Sequence, residues 1–506
     1  MSIRHHRILA AEKPFDLRDF DGLLVPVPAK PRPSDPWDGA LALLPKAVAA
    51  RIAAFAKKTH FKPKAKANFA LDLDETTRVV VFCFEARDEL FPLLTAARAA
   101  LEPLGAASAK KLLLDTRAFP AEAAALADAF VSAVVARNFK FSKYTTKDSD
   151  KKAEPKVNLA ILSTKDVLGE VRDAAGVAES MTHGTNLVRR LSMQAGNDLN
   201  PGQYVRLIRE IAKTEGLTFE HYTIEKLRGL GAGAFLAVAE AQAKPDGGIV
   251  RLTHNPKTKV KGSLPRVHLV GKGVTFDTGG INVKSDKHMF TMNGDMAGSA
   301  VVLALVLMAK EEDWPIRIDA WMAIAENLLA PSGYKPNDVV TSLKGLTIEI
   351  VHSDAEGRML LADTLTMAQK EGGDMILDFA TLTGACISSL GTAYSGVFSN
   401  RKDLLPALTE SGVRSGERVW PFPMDEDFAD CLESEIADLL QCRLSGGVDH
   451  IEAALFLKKF VGEEIPWVHF DLAAARNTGG LAHIDTPTTG VGVRVATKFL
   501  KGQFKL

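Results

Sequence analysis

Two short segments in the second half of the chain combine acidic side chains, lysines and glycines. The first begins Gly271-Lys-Gly-Val-Thr-Phe-Asp-Thr-Gly-Gly280 and continues to Asp295, and the second is His352-Ser-Asp-Ala-Glu-Gly-Arg358. Their ionisable residues of interest are Lys272, Asp277, Lys284, Asp295, Asp354, Glu356 and Arg358. Carboxylates and nitrogen donors at this density are typical of a site that binds divalent cations.

The spacing of the acidic residues gives a physical reason for a cation. Asp354 and Glu356 are two positions apart, so in an extended chain they project to the same side. Two carboxylates held together repel each other, and burial makes it costlier to ionise both of them. A divalent cation between the two carboxylates removes that penalty.

The number of carboxylates predicts two cations. Asp277, Asp295, Asp354 and Glu356 carry the negative charge that two divalent ions would neutralise. Two ions held roughly 3.5–4 Å apart can activate a water molecule and polarise a carbonyl group at the same time. Beside so much positive charge, a lysine can lose its proton and become a neutral nitrogen ligand.

Each part of this pattern also has an ordinary structural interpretation. An Asp or Glu at a helix start is commonly an N-cap or a partner of the helix dipole. The glycines around Lys272 do not form a phosphate-binding loop, because the spacing and the following Ser or Thr are missing. Gly357 can turn the chain into a helix over 358–370, where Arg358 and the helix amides could hold an anion. The cation hypothesis therefore depends on the combination.

The elements around the two segments suit a ligand site. Strand-like runs over 266–270 and 346–351 precede the segments, and helical patterns over 296–311 and 358–370 follow them. Ligand sites in open parallel sheets lie outside the carboxyl ends of the strands. We therefore expect both segments to lie at such an edge.

The whole chain is typical of an α/β protein with two domains. We predict an N-terminal α/β domain over 1–165, a long connecting helix over 166–195, and a larger α/β catalytic domain over 196–506 with a mostly parallel central sheet. In the first domain, apolar runs predict strands at 78–84, 111–114 and 157–162, and an alanine-rich stretch predicts a helix over 121–138.

The composition indicates a soluble, cytoplasmic protein. The hydrophobic content of 46% and charged content of 25% are ordinary, and 62 basic residues balance 62 acidic ones, which favours neither nucleic acid nor membrane as a partner. Four cysteines in 506 residues form no disulfide framework. The N-terminus has no signal-peptide segment, and the longest apolar run, Ala300 to Ala309, is about half of a membrane span.

Two lysine-rich segments, Lys57 to Lys66 and Lys140 to Lys156, lie in the predicted N-terminal domain. Charged stretches of this kind are usually solvated loops, but they can also form a binding surface. Both interpretations stay open at this point.

The two chemical segments resemble the signatures of the leucyl aminopeptidase family. The second segment is close to that family's usual Asn-Thr-Asp-Ala-Glu-Gly-Arg-Leu. Ala380-Thr-Leu-Thr-Gly-Ala385 and Trp467-Val-His-Phe-Asp-Leu-Ala473 are also similar to segments of the family. The resemblance covers about residues 170–506 and implies hydrolysis of the N-terminal residue of peptides, with leucine and other apolar residues preferred.

The resemblance also implies the roles of the ionisable residues. Asp277, Asp354 and Glu356 would bind the first metal, and Lys272 and Asp295 would join Asp277 and Glu356 around the second. Zinc or manganese are the expected ions, with magnesium or cobalt possible at the more exchangeable position. Lys284 would polarise the scissile carbonyl. Arg358 would hold a bicarbonate ion that serves as general base toward a metal-bridging water.

Substrate contacts and assembly follow from the same resemblance. The residues that would bind substrate are Met289, in the pocket for the first side chain, and Thr381, Leu382 and Gly384. Small peptides are the expected substrates and a homohexamer the expected assembly. His352 and Ser353 stand where the family usually has Asn and Thr, and His288 lies in a stretch that is bulkier than usual.

Three other functions stay open beside the broad aminopeptidase. One is a narrow dipeptidase such as a cysteinylglycinase. The second is a DNA-binding accessory protein, for which the lysine-rich segments would be the surface to test and the neutral net charge is unfavourable. The third is a catalytically silent scaffold, which the presence of every expected metal ligand disfavours.

Overall fold

The computed structural model describes residues 6–10, 16–31, 35, 37–85, 89–106, 108–141, 144–146, 156–242, 244–259 and 262–506. The chain forms two compact units. The first comprises Met1–His183, Val413–Gly416 and Thr478–Pro487, and the second comprises Gly184–Gly412, Glu417–Asn477 and Thr488–Leu506. The division falls inside a long helix, and two short later segments belong to the first unit.

The first unit is built on a six-stranded sheet. Its strands are β1 (His6–Ala10), β2 (Gly22–Pro28), β3 (Asn68–Asp72), β4 (Arg78–Phe84), β5 (Lys111–Asp115) and β6 (Asn158–Ser163). Its helices are α1 (Lys46–Lys58), α2 (Leu90–Ala106) and α3 (Ala123–Arg137), and the chain then enters α4 (Leu168–Ser192). The strand order is β1-β6-β5-β2-β4-β3, and of these strands β3 alone pairs antiparallel to its neighbour.

The apolar patterns of the first unit fold as expected. The runs at 78–84, 111–114 and 157–162 are strands β4, β5 and β6, and the alanine-rich stretch is α3. Helix α3 is buried almost all round, from Leu126 to Ala136, which explains why it carries no polar face. The lysines of the segment 57–66 are exposed, whereas much of the segment 140–156 (142–143 and 147–155) lies outside the described residues.

The chain beyond α4 alternates strands and helices. The strands are β7 (Thr218–Tyr222), β8 (Gly248–His254), β9 (Arg266–Asp277), β10 (Arg317–Asn327), β11 (Val339–Thr341), β12 (Thr347–Glu349), β13 (Met375–Ala380), β14 (Ser395–Ser399), β15 (Val419–Pro421), β16 (Leu439–Leu440) and β17 (Trp467–Asp471). The helices are α5 (Pro201–Glu215), α6 (Ile224–Leu230), α7 (Gly233–Ala239), α8 (Asp286–Met289), α9 (Ala297–Glu311), α10 (Glu356–Lys370), α11 (Gly384–Leu390), α12 (Leu405–Ser415), α13 (Asp449–Lys458) and α14 (Val493–Phe504).

The second unit contains an eight-stranded sheet in the order β15-β14-β17-β13-β9-β10-β8-β7. The four middle strands, β17, β13, β9 and β10, are mutually parallel, and antiparallel pairings occur only outside them. The expected α/β class with a mostly parallel central sheet is thus confirmed. One expectation is wrong: the run at 346–351 contains only the short β12, which belongs to a separate sheet, β11-β12-β16.

Two glycines allow helix α9 to pack directly on the central sheet. A Cβ atom at Gly271 of β9 would lie 2.6 Å from the backbone oxygen of Gly298, and a Cβ at Gly298 would lie 2.0 Å from the carbonyl oxygen of Phe379 in β13. Neither position can hold a side chain without moving backbone. The glycine before Lys272 therefore serves helix packing, and it brings the start of α9 to the middle of β9, beside the carboxyl end of β13.

The other face of strand β9 packs against a hydrophobic cluster of the second unit. Val270 and Val274 of β9 pack there with buried residues of α7, α10 and α13. Because side chains alternate along a strand, Lys272 points to this face, between the two valines.

Among the described residues, one stretch, 286–311, is long and apolar enough to cross a membrane, but 78% of its most apolar window is buried, as in a core helix.

A buried ion pair joins two middle strands. Asp378 of β13 lies opposite His469 of β17, and its Oδ1 atom is 2.6 Å from His469 Nδ1. Trp467 Nε1 donates to the other oxygen at 2.6 Å. Burial alone would lower the pKa of His469, but the Asp378 carboxylate outweighs burial and raises it.

Replacing Asp378 by Asn should destabilise the second unit by about 3–5 kcal/mol, because one partner of a buried pair loses its charge. The loss should be greatest below about pH 6.5, where histidine is protonated even in the unfolded chain, and it should shrink as the pH rises through the raised folded pKa of His469. Urea unfolding followed by tryptophan fluorescence at pH 6 and pH 9 measures both effects.

The matched control is Asp338→Asn, which removes the carboxylate of the exposed pair with Lys335. Exposed pairs contribute about 0–1 kcal/mol, so this variant should unfold near the wild-type midpoint. An equal loss at both pH values in Asp378→Asn would contradict the charged pair.

Candidate metal centre

The first predicted acidic residue lies where strand β9 ends. Asp277 is buried, and its Oδ1 atom accepts hydrogen bonds of 2.8 Å from the Gly279 backbone N–H and from Nδ2 of Asn327. Asn327 ends the neighbouring strand β10 and is itself fully buried. The carboxyl ends of two parallel strands therefore hold this carboxylate in place, as expected for such a sheet edge.

The loop after Asp277 turns back on itself at two glycines. Gly279 and Gly280 have φ values of +87° and +67°, a left-handed backbone that side chains disfavour. The turn is closed by a hydrogen bond of 2.9 Å from the Lys284 N–H to the Thr278 carbonyl. As a result the Lys284 ammonium lies 2.8 Å from Asp277 Oδ2 and is also paired with Asp354.

The second motif brings in Asp354 and Glu356, but not along an extended chain as expected. Asp354 lies in a turn, and Glu356 is the first residue of helix α10. Ligand atoms of Asp277, Asp354 and Glu356 nevertheless lie within 4.8 Å of one another. A turn into the helix start therefore brings the carboxylates together, and the extended geometry was wrong.

Gly357 has a different role from the predicted one. It lies inside α10 rather than in a turn before it. A Cβ atom at this position would lie 2.8 Å from Cδ and Cε of Lys272 and 2.9 Å from Cδ1 of Leu382. The missing side chain thus makes room for the lysine stem beside Glu356.

Lys272 and Asp295 complete the cluster. The Lys272 ammonium lies 2.6 Å from Glu356 Oε1 and 2.8 Å from Asp295 Oδ2, and all three side chains are buried. Asp295 precedes α9, whose close packing on β9 places it there. The structure therefore gathers Lys272, Asp277, Lys284, Asp295, Asp354 and Glu356 in one cluster.

The cluster contains more negatively charged groups than positively charged ones. Burial raises the pKa of Asp295, Asp354 and Glu356, and the nearby lysines offset this only in part. Burial alone would lower the pKa of Lys272 and Lys284, but the surrounding carboxylates outweigh it and raise both. Four carboxylates face two ammonium groups, so the oxygen-rich donor set fits divalent cations.

The segment 381–384 lies beside this cluster. Thr381 Oγ1 donates to Asp295 Oδ1 at 2.7 Å, and Lys272 Nζ donates to the Thr381 carbonyl at 3.1 Å. Leu382 lies against Gly357, as the distance to its Cδ1 shows. Gly384 is exposed at the start of α11. Of the predicted substrate-binding residues, Thr381 and Leu382 are therefore at the cluster.

Asp471, which the sequence did not single out, anchors this segment. Its carboxylate is buried and accepts from the Leu382 N–H at 3.2 Å and from Thr383 Oγ1 at 2.7 Å. Asp471 ends β17, and Ala380, its register partner, ends β13. Its position in the Trp467–Ala473 motif was the one available signal.

Met289 and His288 lie in the short helix α8, where Met289 is half-buried and His288 exposed. His288 Nδ1 is 3.4 Å from Ser285 Oγ. Nothing in their described hydrogen bonds or ion pairs connects these two residues with the carboxylates.

The two departures in the second motif, His352 and Ser353, both form hydrogen bonds at the turn. His352 Nδ1 accepts a hydrogen bond from the Asp354 N–H at 3.2 Å, in the manner of a turn-forming Asn side chain. The Ser353 hydroxyl donates to the Gly279 carbonyl at 2.6 Å and accepts from the Asn282 N–H at 2.9 Å. The imidazole therefore stabilises the turn of the second motif, and the Ser353 hydroxyl connects the two motifs.

Arg358 is fully buried in α10, and its guanidinium already has an anionic partner. Nη2 donates to Asp449 Oδ1 at 2.6 Å, and Nη1 donates to the Gln441 carbonyl at 3.3 Å. The Gln441 side chain accepts from the His352 N–H at 3.0 Å and donates to the Ala355 carbonyl at 3.1 Å. Neither Asp449 nor Gln441 lies in a motif that sequence reasoning could use.

Comparison with known proteins identifies relatives of this chain. The sequence profile of the cytosol aminopeptidase family, catalytic domain, matches residues 186–497. A probable cytosol aminopeptidase of Persephonella marina is 32% identical over 379 residues, which cover 75% of each protein. One from Syntrophotalea carbinolica is 39% identical over 354 residues, covering 67% of this chain and 69% of the relative.

Solved structures share the fold along almost the whole chain. A mutant of tomato leucine aminopeptidase aligns with a TM-score of 0.83 and 26% identity, covering 97% of this chain and 95% of that one. The bottromycin maturation enzyme BotP in complex with Mn aligns with a TM-score of 0.79 and 28% identity, covering 96% of this chain and 99% of that one.

The raised pKa values of the cluster predict how cation binding depends on pH. Burial raises the pKa of Asp354 to about 7 and that of Asp295 to about 8. Both carboxylates must be ionised to bind a cation, so binding should release protons and tighten by about tenfold or more from pH 6 to pH 8. Titration calorimetry of chelator-treated protein with Mn²⁺, in buffers of different ionisation enthalpy, measures affinity and proton release together.

Asp354→Asn should weaken binding and reduce its pH dependence, whereas the exposed-pair variant Asp338→Asn should match the wild type. An affinity that does not change between pH 6 and pH 8 would argue against the cluster as the binding site.

Proposed function

The chain belongs to the cytosol aminopeptidase family of metal-dependent aminopeptidases, and we propose that it removes leucine and other apolar residues from the N-termini of small peptides by means of two divalent cations. The observation that carries this proposal is the cluster of four carboxylates and two lysines, in which Lys272, Asp277, Asp295 and Glu356 are buried. Such a cluster has no structural need that a set of apolar side chains would not meet at lower cost.

The cluster divides naturally between two cations. Asp277, Asp354 and Glu356 would hold the first, and Lys272 and Asp295 would join Asp277 and Glu356 around the second. Zinc or manganese suits this mixed oxygen and nitrogen set. When bound, the cations would activate a water molecule and polarise the scissile carbonyl.

The two lysines would act differently once the carboxylates bind cations. Lys272 is 3% exposed and lies between Asp295 and Glu356, so it can serve as a ligand only by losing its proton, which nearby cations favour. Lys284 is 14% exposed and would be released from Asp277 and Asp354. Its ammonium can then donate to the oxygen on which negative charge develops during the reaction.

Substrate would lie along the segment 381–384 and against Met289. Hydrogen bonds from Thr381 to Asp295 and from the Leu382 N–H to Asp471 fix the position of this segment. A fixed segment is well suited to orient a bound peptide. The half-buried thioether of Met289 suits an apolar first side chain.

Hydrolysis of leucine p-nitroanilide tests the proposed activity. Chelator-treated protein should be inactive and should recover with Zn²⁺ or Mn²⁺. Asp354→Asn should lower kcat by more than about a hundredfold, since loss of a direct ligand costs more than loss of its supporting contacts. Asp338→Asn should keep wild-type activity. Acetylated leucine p-nitroanilide should resist cleavage, because the reaction requires a free amine.

The same experiment separates the other functions. Turnover of Cys-Gly alone, among a panel of amides and dipeptides, would replace the broad aminopeptidase by a narrow dipeptidase. Absence of turnover on every substrate with every metal would refute the aminopeptidase. Salt-dependent binding of duplex DNA would then test the accessory role.

We further propose a cytoplasmic homohexamer, on the strength of the family alone. Light scattering coupled to size-exclusion chromatography should give six times the 54.6 kDa of one chain. A monomeric mass at micromolar concentration would contradict this assembly.

A further inference from the structure

This inference rests on the proposed function and concerns the residue that holds the shared carboxylates in place. Asp277 and Glu356 would each bind both cations, although they belong to different elements: Asp277 ends β9, and Glu356 begins α10. Two cations act together only when they lie roughly 3.5–4 Å apart, so the carboxylates that they share must be held at a fixed spacing. The side chain of Asn327 lies beside both of these carboxylates.

The Asn327 amide is placed between the two motifs. Asn327 is the last residue of β10 and is fully buried. Its Nδ2 atom donates to Asp277 Oδ1 at 2.8 Å and to the Ser353 carbonyl at 3.0 Å, and it lies 3.5 Å from Glu356 Oε2. One amide group therefore contacts a carboxylate of the first motif and the turn that presents the carboxylates of the second.

We propose that Asn327 is a positioning residue that sets the spacing of Asp277 and Glu356 for the pair of cations. Asp277 Oδ1 accepts hydrogen bonds from both Asn327 and the Gly279 N–H. Its other oxygen, Oδ2, lies 2.8 Å from the Lys284 ammonium and accepts from neither of these two donors. The two hydrogen bonds thus determine which oxygen of Asp277 faces the rest of the cluster.

The contact from Asn327 does not depend on the charge of the cluster. The ammonium groups of Lys284 and Lys272 also pair with the two shared carboxylates, but cations bound there would repel these positive charges. An amide N–H is neutral and stays a hydrogen-bond donor whatever the cluster binds. Asn327 can therefore hold Asp277 and the turn at Ser353 both with and without cations.

Position 327 suits an amide better than an acid. Nδ2 faces the oxygens of both motifs, whereas Oδ1 faces the turn after β9, where a Cβ atom at Gly280 would lie 3.1 Å from it. Oδ1 has no hydrogen-bond partner in the described part of the chain, so the donor side fixes the amide. An aspartate here would direct an oxygen at the Asp277 carboxylate and the Ser353 carbonyl, and repulsion would separate the motifs.

The test measures Mn²⁺ binding to the chelator-treated full-length protein and needs no turnover. Asn327→Leu keeps a branched side chain of similar size, and the hydrogen bonds from Thr278 to the backbone carbonyl of residue 327 can still form. Titration calorimetry should show an affinity for Mn²⁺ about 10–100-fold weaker than that of the wild type, as is typical when a ligand loses a hydrogen-bond partner.

Electron paramagnetic resonance reports the spacing of the two ions. Mn²⁺ ions held close together give a spin-coupled spectrum, whereas single ions give separate hyperfine lines. At a Mn²⁺ concentration that saturates the wild type, the wild-type spectrum should be mainly spin-coupled. The spectrum of Asn327→Leu should show mainly single ions, because the shared carboxylates are no longer held at one spacing.

Asn400→Leu is the matched control. The Asn400 amide also joins two segments, since Nδ2 donates to the Ile465 carbonyl at 3.0 Å and Oδ1 accepts from the Trp467 N–H at 2.8 Å. Trp467 begins β17, so this contact lies at the opposite end of that strand from Asp471. Asn400→Leu should lower the melting temperature but bind Mn²⁺ as the wild type does.

The outcomes are distinct. Wild-type affinity with a wild-type spectrum in Asn327→Leu would overturn the proposal. An equal loss of Mn²⁺ binding in Asn400→Leu would also overturn it, because lost stability alone would then explain the effect. If Asn327→Leu does not fold, Asn327→Ala carries the same expectation and is measured in the same way. A wild type that binds a spin-coupled pair but hydrolyses no substrate would refute the aminopeptidase and leave the role of Asn327 to the binding comparison.

Discussion

The second unit is organised around an excess of buried negative charge. Four carboxylates meet here, three of them buried and Asp354 half-buried, and burial opposes the ionisation of Asp295, Asp354 and Glu356. Two lysine ammonium groups balance part of that charge and make the arrangement stable as it stands. A cation would neutralise the remaining negative charge. The carboxylates that are costly to bury in the folded protein are therefore the groups that would bind the cation.

The positions of these carboxylates depend on contacts within the central sheet and between the sheet and helix α9. Asp277 depends on Asn327 at the end of the adjacent strand, and Asp295 depends on α9 approaching β9 without any side chain between them. On the other side of the cluster, Asp471 holds the Leu382 N–H, and the neighbouring Asp378–His469 pair ties β13 to β17. Contacts that support the cluster therefore extend from β9 and β10 to β13 and β17.

The sequence predicted the fold class, three of the six described strands of the first unit (β4, β5 and β6) and the set of residues that the cluster contains. Those successes came from local signals, since apolar runs and dense ionisable motifs are visible without tertiary contacts. Its errors were errors of geometry. Periodicity cannot tell to which sheet a short run such as β12 belongs, and two acidic residues at spacing two do not reveal whether a strand or a helix start presents them.

The sequence analysis also missed residues that lie outside any motif and far along the chain from the groups they contact. Asn327, Gln441 and Asp449 have no motif around them, and only folding brings them beside Asp277 and Arg358. The resemblance to the family did not supply Asp449 either, because Asp449 lies outside the motifs that carried that resemblance.

The contact between Gly298 and Phe379 has a consequence for which ions the protein can accept. A Cβ at residue 298 would lie 2.0 Å from a main-chain oxygen, so the distance from α9 to β13 is set by backbone atoms. Asp295 is carried on that spacing, whereas Asp277 is fixed to β9 and β10. The distance between the backbone positions of Asp295 and Asp277 is therefore set by contacts between main-chain atoms and not by side-chain packing. Discrimination between small and large ionic radii would then follow from helix packing, and substitutions at Gly271 or Gly298, which offer no ligand atom themselves, would alter it.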